Sequence, residues 1–345
     1  YKYHDELEYA SEAEKWLQMA ATESDKLITS GRYEIYNTGH PQEDYFNMYR
    51  IDDKSDLKEA VLYVDYKTNI REHNMAAAGR EAGCGFSKSF VESFLCSDGL
   101  PISLSNKYLG DETMRKETAN RDPRLKQLIL TNDFPTNVTD DLKDSTFVVN
   151  EDEFITQHCF TGYRPIKGFN PIYSQALYMK SSFDGIAYRY AETLLINAEA
   201  KAELNTITNA DLDRTVNQLR DRVGMPHLTV NVGFTDPKWP DWGYSLSPVL
   251  QEIRRERCIE LAGEGFRFND LKRWKAGKLL NNVLTYVGKR KPDGNLAIVY
   301  PNYTNPDLSY QAGKSRTWED KMYLYPIPTG ELQRNPQLLP QNPGW

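Results

Sequence analysis

One stretch of the sequence, residues 254–274 (RRERCIELAGEGFRFNDLKRW), places ionisable and apolar residues on the same helical face. Residues three and four positions apart lie on one side of a helix, so Arg257, Leu261 and Glu264 share a face and Glu260 lies beside them. An isolated ion taken out of water costs several kcal/mol. The stretch therefore predicts a helix, called here the seam helix, whose charges are paired inside the fold. Gly263 and Gly265 break it, and Arg267, Asp270 and Arg273 continue the alternation of charge beyond them.

Two interpretations of the seam helix are open. In the first, Arg257, Glu260, Glu264, Arg267 and Asp270 form a structural ion network with no catalytic residue. In the second, Glu260 and Glu264, on adjacent turns, act as a general acid and base. Arginines beside the carboxylates keep them ionised, which favours the structural interpretation.

The charge of the chain argues against a nucleic-acid partner. The 345 residues carry a net charge of −7, and the longest basic cluster is Lys289-Arg-Lys291, so a polyanion would meet a mildly repulsive surface.

No run of about 18 apolar residues and no signal peptide is present. The chain opens with Tyr1 and moves at once into a helical pattern, so we expect that upstream material is missing.

Cysteine and acidic-residue spacing indicates no metal ion and no cofactor. The four cysteines form no CxxC pair and no grouping with the five histidines. Cys84 and Cys96 are close enough in sequence to suggest a disulfide, and Cys258 is expected to be a buried thiol. Asp52, Lys54 and Asp56 show the alternate spacing of a calcium loop, but the glycine and closing glutamate are missing or misplaced.

Apolar periodicity predicts a mainly α fold. Residues 5–30 read as an amphipathic helix that must bury Trp16 and Leu17 against a partner. The clearest helical hairpin pairs residues 188–204 with residues 209–223, and Ser247-Pro248 begins the seam helix. The prolines of residues 277–345 exclude a long helix, so this part is predicted to wrap extended over the body.

Two irregular, aromatic segments are the candidate ligand sites. Residues 136–185 hold Phe160, Tyr163, Arg164 and Tyr173 among Gly, Pro, Asn and Asp, and residues 225–247 hold Trp239 and Trp242. Sugars present apolar C–H faces ringed by hydroxyl groups, so a glycan binder needs exposed rings flanked by polar groups. The first segment is preferred, because the tryptophans lie near the seam helix. The alternative is that these rings pin the loops to the core.

Three segments resemble the SusD/RagB family of outer-membrane nutrient-binding lipoproteins. They are residues 254–274, the pair 189–200 (RYAETLLINAEA) and 216–226 (VNQLRDRVGMP), and the terminus with 325–332 (YPIPTGEL), Asn335-Pro336 and 341–345 (QNPGW). The resemblance implies a single domain over 1–345 that lacks its N-terminal part, a tetratricopeptide-like helical repeat that is clearest over 186–276, long loops and few short strands.

The resemblance also implies a function. It is that of a lipid-anchored protein at the outer-membrane surface, which captures oligosaccharides for a SusC-like TonB-dependent transporter and performs no chemistry. The lipid anchor would lie outside this chain. A glycan hydrolase and a protein that captures peptides are the alternatives, because aromatic platforms serve all three.

Overall fold

The structure is a computed structural model that describes residues 12–75, 85–156, 159–298 and 317–345. Over these residues the regular structure is mostly helical. The α-helices are α1 (Ala13–Thr29), α2 (Asp44–Asn47), α3 (Lys88–Ser93), α4 (Met114–Thr118), α5 (Arg124–Leu128), α6 (Tyr190–Glu203), α7 (Asn209–Asp213), α8 (Val216–Arg222), α9 (Pro248–Glu260), α10 (Phe266–Arg273) and α11 (Thr329–Arg334). Short 3-10 turns include Met48–Arg50, Glu151–Phe154, Gly277–Asn281, Val283–Thr285, Asp320–Tyr323 and Pro336–Leu338.

The strands form three small antiparallel pairs. They are β1 (Ala60–Val64) with β4 (Gly185–Arg189), β2 (Asn137–Val138) with β3 (Ser145–Thr146), and β5 (Val287–Arg290) with β6 (Leu296–Ile298). Strand β4 runs directly into α6, so the first pair fixes Arg189 at the entrance of a buried helix. A turn at residues 292–294 joins β5 to β6.

Helix α6 lies at the centre of the helical layer and packs against α1 and α9. Its buried face carries small residues beside Leu194 and Leu195, and Leu212, Val216 and Leu219 pack against it from the next two helices. Small side chains allow the helix axes to approach closely. The predicted first helix of the hairpin is therefore confirmed.

The second helix of the predicted hairpin is divided. The sequence predicts one helix over residues 209–223, whereas the structure has α7 and α8 with a break at Thr215. The Thr215 hydroxyl donates to the carbonyl oxygen of Asp211 at 2.6 Å, and Thr215 has φ −129° and ψ −97°. A threonine side chain that binds the backbone in this way competes with continued helix.

Helix α1 meets α6 through its small residues rather than through Trp16. Ala21 and Ser24 are buried, and the Asn197 amide donates to the Ala21 carbonyl oxygen at 3.1 Å and to the Ser24 hydroxyl at 3.0 Å. Trp16 is 55% exposed, so the prediction that it is buried is wrong for the part of the chain that is described. Its large ring lies off the face that allows close packing.

Residues 277–298 and 317–345 are less extended than predicted. The β5–β6 hairpin and the short helices interrupt the path, and the backbone N–H of Gly277 donates to the hydroxyl of buried Tyr323 at 2.8 Å. The hairpin packs against the irregular segment 136–185. At Gly288 an added Cβ would lie 2.0 Å from the Thr161 carbonyl oxygen, so a larger residue there must shift the backbone.

Candidate functional site

The C-terminal end of α9 places Glu260 at the centre of a buried ion network. Its carboxylate accepts from Arg189 at 2.5 Å, from Arg222 at 2.6 and 2.7 Å, and from Arg124 at 3.0 Å. The Glu260 carbonyl oxygen accepts from the Tyr45 hydroxyl at 2.7 Å. These arginines are fully buried, as Glu260 is, so the charges are compensated by direct contact.

The network extends over several elements and balances in charge. Arg189 also binds Glu59 at 2.9 Å and Glu264 at 2.7 Å, and Lys167 binds Glu264 at 2.7 Å. Five carboxylates face five cations in the connected set, namely Asp122, Glu59, Glu256, Glu260 and Glu264 with Arg124, Lys167, Arg189, Arg220 and Arg222. A closed, neutral set of this kind is expected of a structural network.

The ionisation of the network carboxylates argues against acid–base chemistry. Burial opposes the charge of Glu260, but Arg222, Arg189 and Arg124 together hold its pKa well below the usual range. Burial also opposes the charge of Glu264, yet Arg189 and Lys167 lower its pKa to about 2. A general acid must hold a proton near the working pH, and neither group does.

We expect the fold to lose stability in acid as Glu264 takes up a proton. Its pKa lies near 2 in the folded protein and about 4.3 in an unfolded chain. The stabilisation is therefore complete above about pH 4.3, is lost as the pH falls towards 2, and amounts to roughly 3 kcal/mol. Burial lowers the pKa of Lys167 to about 8, so that group titrates outside this window.

Urea unfolding between pH 6 and pH 3 measures this loss, with Glu264→Gln as the matched variant. The variant should be less stable at pH 6 and show a smaller change with pH. If the free energy of unfolding changed equally with pH in the two proteins, Glu264 would not be the group responsible for the loss.

The other three members of the predicted network lie outside the connected set around Glu260. Arg257 binds Asp270 at 2.9 Å, and it forms no ion pair with Glu260 or Glu264. Asp270 also binds Arg273, whose guanidinium group pairs with Glu199 on α6. Arg267 is exposed over the Trp274 ring, and it forms no ion pair with any residue described. Its inclusion in the network is wrong, because it points away from the seam.

The arginines that hold Glu260 were missed by the sequence reasoning. Arg124 and Arg222 lie on other helices, and Arg189 precedes α6. A cation at a helix N-terminus opposes the helix dipole, so Arg189 was a signal that a carboxylate lies nearby. Arg124 lies in a turn that opens α5, where the Asp122 carboxylate accepts from the Arg124 backbone N–H at 2.9 Å.

Tyr163 is a core residue and not an exposed ring. It is fully buried, and its hydroxyl donates to the Glu117 carboxylate at 2.7 Å. Lys88 binds the same carboxylate at 2.5 Å. The structure contradicts the expectation that Tyr163 stacks on a ligand, because its polar end is needed to satisfy the buried carboxylate.

The two tryptophans are also held by the seam helix. The Trp239 indole N–H donates to Glu252 at 2.7 Å, and the Trp242 indole N–H donates to Gln251 at 2.6 Å. Trp242 is buried edge-on against Trp274, with ring centroids 5.4 Å apart. A ligand therefore cannot stack on Trp242, whereas Trp239 is half-buried.

Of the predicted ligand residues, Tyr173 is the one that is exposed. Half of its surface is accessible (52%), whereas Phe160 and Arg164 are half-buried, the latter over the Phe169 ring. Tyr178, which is not among the predicted ligand residues, is 73% exposed in the same segment. An irregular segment has no periodicity, so the sequence offered no signal that separates exposed Tyr178 from a buried ring such as Tyr163.

Tyr173 and Tyr178 belong to what we call the loop surface, made of residues 65–75, 136–146 and 170–184. Its exposed apolar side chains are Ile70, Met75, Leu142, Tyr173, Leu177, Tyr178 and Met179. Exposed polar and charged residues alternate with them, including Lys67, Asn69, Arg71, Ser174 and Lys180. This mixture of rings and hydrogen-bonding groups suits a ligand that has both apolar and polar faces.

Backbone and side-chain hydrogen bonds join the three parts of the loop surface. His73 and Ser181 exchange two backbone hydrogen bonds at 2.9 and 3.1 Å, and the Tyr173 N–H donates to Val138 at 2.9 Å. The Tyr66 N–H donates to buried Asp184 at 2.7 Å. The tyrosines are thus carried on a scaffold that is formed before any ligand arrives.

The described residues contain no cluster of His, Cys, Asp and Glu able to hold a metal ion. Between Asp52 and Asp56, the Lys54 ammonium group is buried and donates to the Ile51 carbonyl oxygen at 2.5 Å. Cys96 is buried, and Cys84, its suggested disulfide partner, lies outside the described residues. Cys258 is half-buried and not fully buried as expected.

Comparison with known proteins gives the family. Residues 27–345 match the model of the SusD family. The SusD-like protein P2 of Formosa agariphila is 33% identical over 166 residues, which is 48% of this chain and 27% of that protein. The chain therefore spans about a quarter of that relative.

Solved structures show the same fold. A SusD-like protein from Bacteroides fragilis is 26% identical with a TM-score of 0.68, over 96% of this chain and 62% of that one. A SusD-like carbohydrate binding protein from the same species is 22% identical with a TM-score of 0.65, over 94% of this chain and 62% of that one. With the family model matched over residues 27–345, the chain belongs to the SusD family.

Proposed function

We propose that the loop surface binds an oligosaccharide. The observation that carries this proposal is the pair of exposed rings, Tyr173 and Tyr178, on a segment whose backbone is fixed by hydrogen bonds. A pyranose ring stacks its C–H face on a tyrosine, and its hydroxyl groups need donors and acceptors at the edge of the ring. Asn69, Arg71 and Lys180 carry such groups and are exposed on the same loop surface.

Family membership supports the same ligand class. One of the similar structures is described as a carbohydrate binding protein. A peptide is the second candidate, because exposed Leu177 and Met179 could receive apolar side chains. The tyrosines favour a saccharide, since a flat ring is needed for sugar stacking and is not required for an aliphatic side chain.

We propose further that the chain performs no reaction on its ligand. The clustered carboxylates Glu260 and Glu264 are held ionised by arginines and, at Glu264, also by Lys167. Glu260 is fully buried and Glu264 is half-buried. Burial raises the pKa of Glu117, but Lys88 and Tyr163 engage its carboxylate inside the core. A glycosidase needs a proton donor and a second carboxylate on either side of an accessible bond.

The transporter partner and the location are inferred from the family. We propose that the protein is lipid-anchored at the outer-membrane surface and passes its glycan to a SusC-like TonB-dependent transporter. No helix among the described residues is long and apolar enough to cross a membrane.

A glycan and peptide array, followed by an assay for released reducing ends on each glycan that binds, tests this function. We expect at least one neutral oligosaccharide to bind and no reducing ends to appear. A signal on peptides alone would replace the saccharide with a peptide ligand. Release of reducing ends by freshly purified protein, proportional to its concentration, would establish a hydrolase.

A further inference from the structure

A cavity lies among the helices, apart from the loop surface. It has a volume of about 650 Å³ and is bounded by the end of α1, residues 33–37, the start of α6, and the α7–α8 region. This volume is within the range of small-molecule sites, about 300–1,000 Å³. None of these elements contributes to the loop surface, so the cavity is a separate place on the molecule.

One wall of the cavity is aromatic. Tyr33 stacks on Tyr190 with ring centroids 6.0 Å apart and an angle of 29° between the rings. Tyr190 is buried, whereas Tyr33 is half-buried, so Tyr33 is the ring that a ligand can reach. Ile28 and Ile35 extend the apolar wall. A ring already backed by a second ring loses little freedom when a ligand stacks on it.

The segment that carries Tyr33 is anchored to the buried ion network. The Tyr36 N–H donates to the Glu59 carboxylate at 2.8 Å, and Glu59 binds Arg189 at 2.9 Å. The Glu34 N–H donates to the Lys58 carbonyl oxygen at 3.4 Å. The wall is therefore held in place without a ligand, as a preformed site requires.

The rim of the cavity supplies amide groups and carboxylates. The Asn37 amide oxygen accepts from Gly39 at 3.0 Å, and the Gln218 amide nitrogen donates to Arg214 at 2.9 Å. The Asn37 nitrogen and the Gln218 oxygen have no partner among the described residues, so one donor and one acceptor remain for a ligand. Glu34 and Asp221 add two carboxylates to the same lining.

The charge of the rim selects against acidic ligands. Arg214 is the cation of the lining, and it already pairs with Asp25 at 2.8 Å and Asp211 at 3.3 Å. Glu34 pairs with Lys58 at 2.8 Å, and Asp221 contacts the His227 ring at 2.7 Å. An anionic sugar would therefore meet carboxylates, while the described cations beside them are already engaged. A neutral sugar would stack on Tyr33 and use its hydroxyl groups on the amides.

We propose that this cavity is a second saccharide site, which takes one or two neutral sugar units and rejects uronic acids. The proposal rests on the proposed function, since it assumes that the protein handles glycans. A second site on the same chain would raise the apparent affinity for a long glycan, because the second contact becomes intramolecular.

The test uses calorimetry and saturation-transfer NMR with cellobiose, maltose and laminaribiose, and with digalacturonic acid as the acidic probe. The background is the double variant Tyr173→Ala/Tyr178→Ala, which lacks the rings of the loop surface. We expect at least one neutral disaccharide to bind this background and the acidic probe not to bind. Adding Tyr33→Ala should weaken binding roughly 5- to 160-fold, by analogy with base stacking on rings, whereas Tyr33→Phe should retain it.

A separate variant keeps the test valid if Tyr33→Ala unfolds in a thermal melt. Gln218→Ala removes one rim acceptor and should weaken binding roughly 2- to 13-fold. The proposal is overturned if the background binds no disaccharide, if the Tyr33 and Gln218 variants bind as the background does, or if the acidic probe binds equally well. If the wild type still bound a glycan on the array, the proposal for the loop surface would stand. If the wild type bound no saccharide on the array, by calorimetry or by NMR, both proposals would be overturned.

Discussion

Replacing Glu260 by glutamine is expected to destabilise the protein by roughly 3–5 kcal/mol, the cost of breaking a buried ion pair. The carboxylate compensates Arg124, Arg189 and Arg222 at once, and all three guanidinium groups are buried. Glutamine has nearly the same shape, so the loss arises from charge and not from a cavity. Chemical denaturation of the two proteins at pH 7, followed by circular dichroism, measures the difference.

Glu331→Gln is the matched control for this substitution. Glu331 is exposed on α11 and pairs with Arg334 at 3.0 Å, a surface contact expected to contribute at most about 1 kcal/mol. Equal stability of Glu260→Gln and the parent would contradict the structural role of the network. If that variant also lost turnover of a sugar, Glu260 would be a catalytic residue after all.

Periodicity predicted the position of Glu260 but not its partners. The seam helix begins at Pro248 after Ser247, as the sequence indicates, and Glu260 lies on its buried side. Its partner Arg124 is distant in sequence and belongs to a short helix without amphipathic repeat. Helical spacing reveals which residues share a face, but ion pairs between distant segments depend on tertiary packing.

The candidate ligand residues show where sequence reasoning fails in loops. Tyr163 and Tyr173 lie in one irregular segment with similar neighbours, yet one is fully buried and the other is exposed. The difference arises from Glu117, which needs the Tyr163 hydroxyl as a donor. A tyrosine in a loop can satisfy a buried carboxylate or bind a ligand, and no local pattern distinguishes these roles.

Replacing both exposed tyrosines of the loop surface, Tyr173→Ala/Tyr178→Ala, is expected to remove most of the affinity for a long glycan. Stacking on one aromatic ring contributes about 1–3 kcal/mol by analogy with base stacking, so two independent rings contribute roughly 2–6 kcal/mol. Both side chains are exposed, so the thermal melting temperature should stay close to that of the parent. An unchanged melt separates loss of a binding surface from loss of the fold.

Tyr325→Ala is the control for this double variant. Tyr325 is 68% exposed, and its ring lies 3.9 Å from the Lys272 ammonium nitrogen, outside the loop surface. This substitution removes an exposed tyrosine that lies outside the loop surface. Any general effect of losing surface aromatic area would appear in this variant also.

Isothermal titration calorimetry with the best neutral oligosaccharide from the array tests the account most directly. The parent and Tyr325→Ala should bind with equal affinity and release no reducing ends, whereas Tyr173→Ala/Tyr178→Ala should bind at least about 30-fold more weakly, the effect expected for two stacked rings. Full affinity in the double tyrosine variant would contradict the claim that the loop surface holds the glycan.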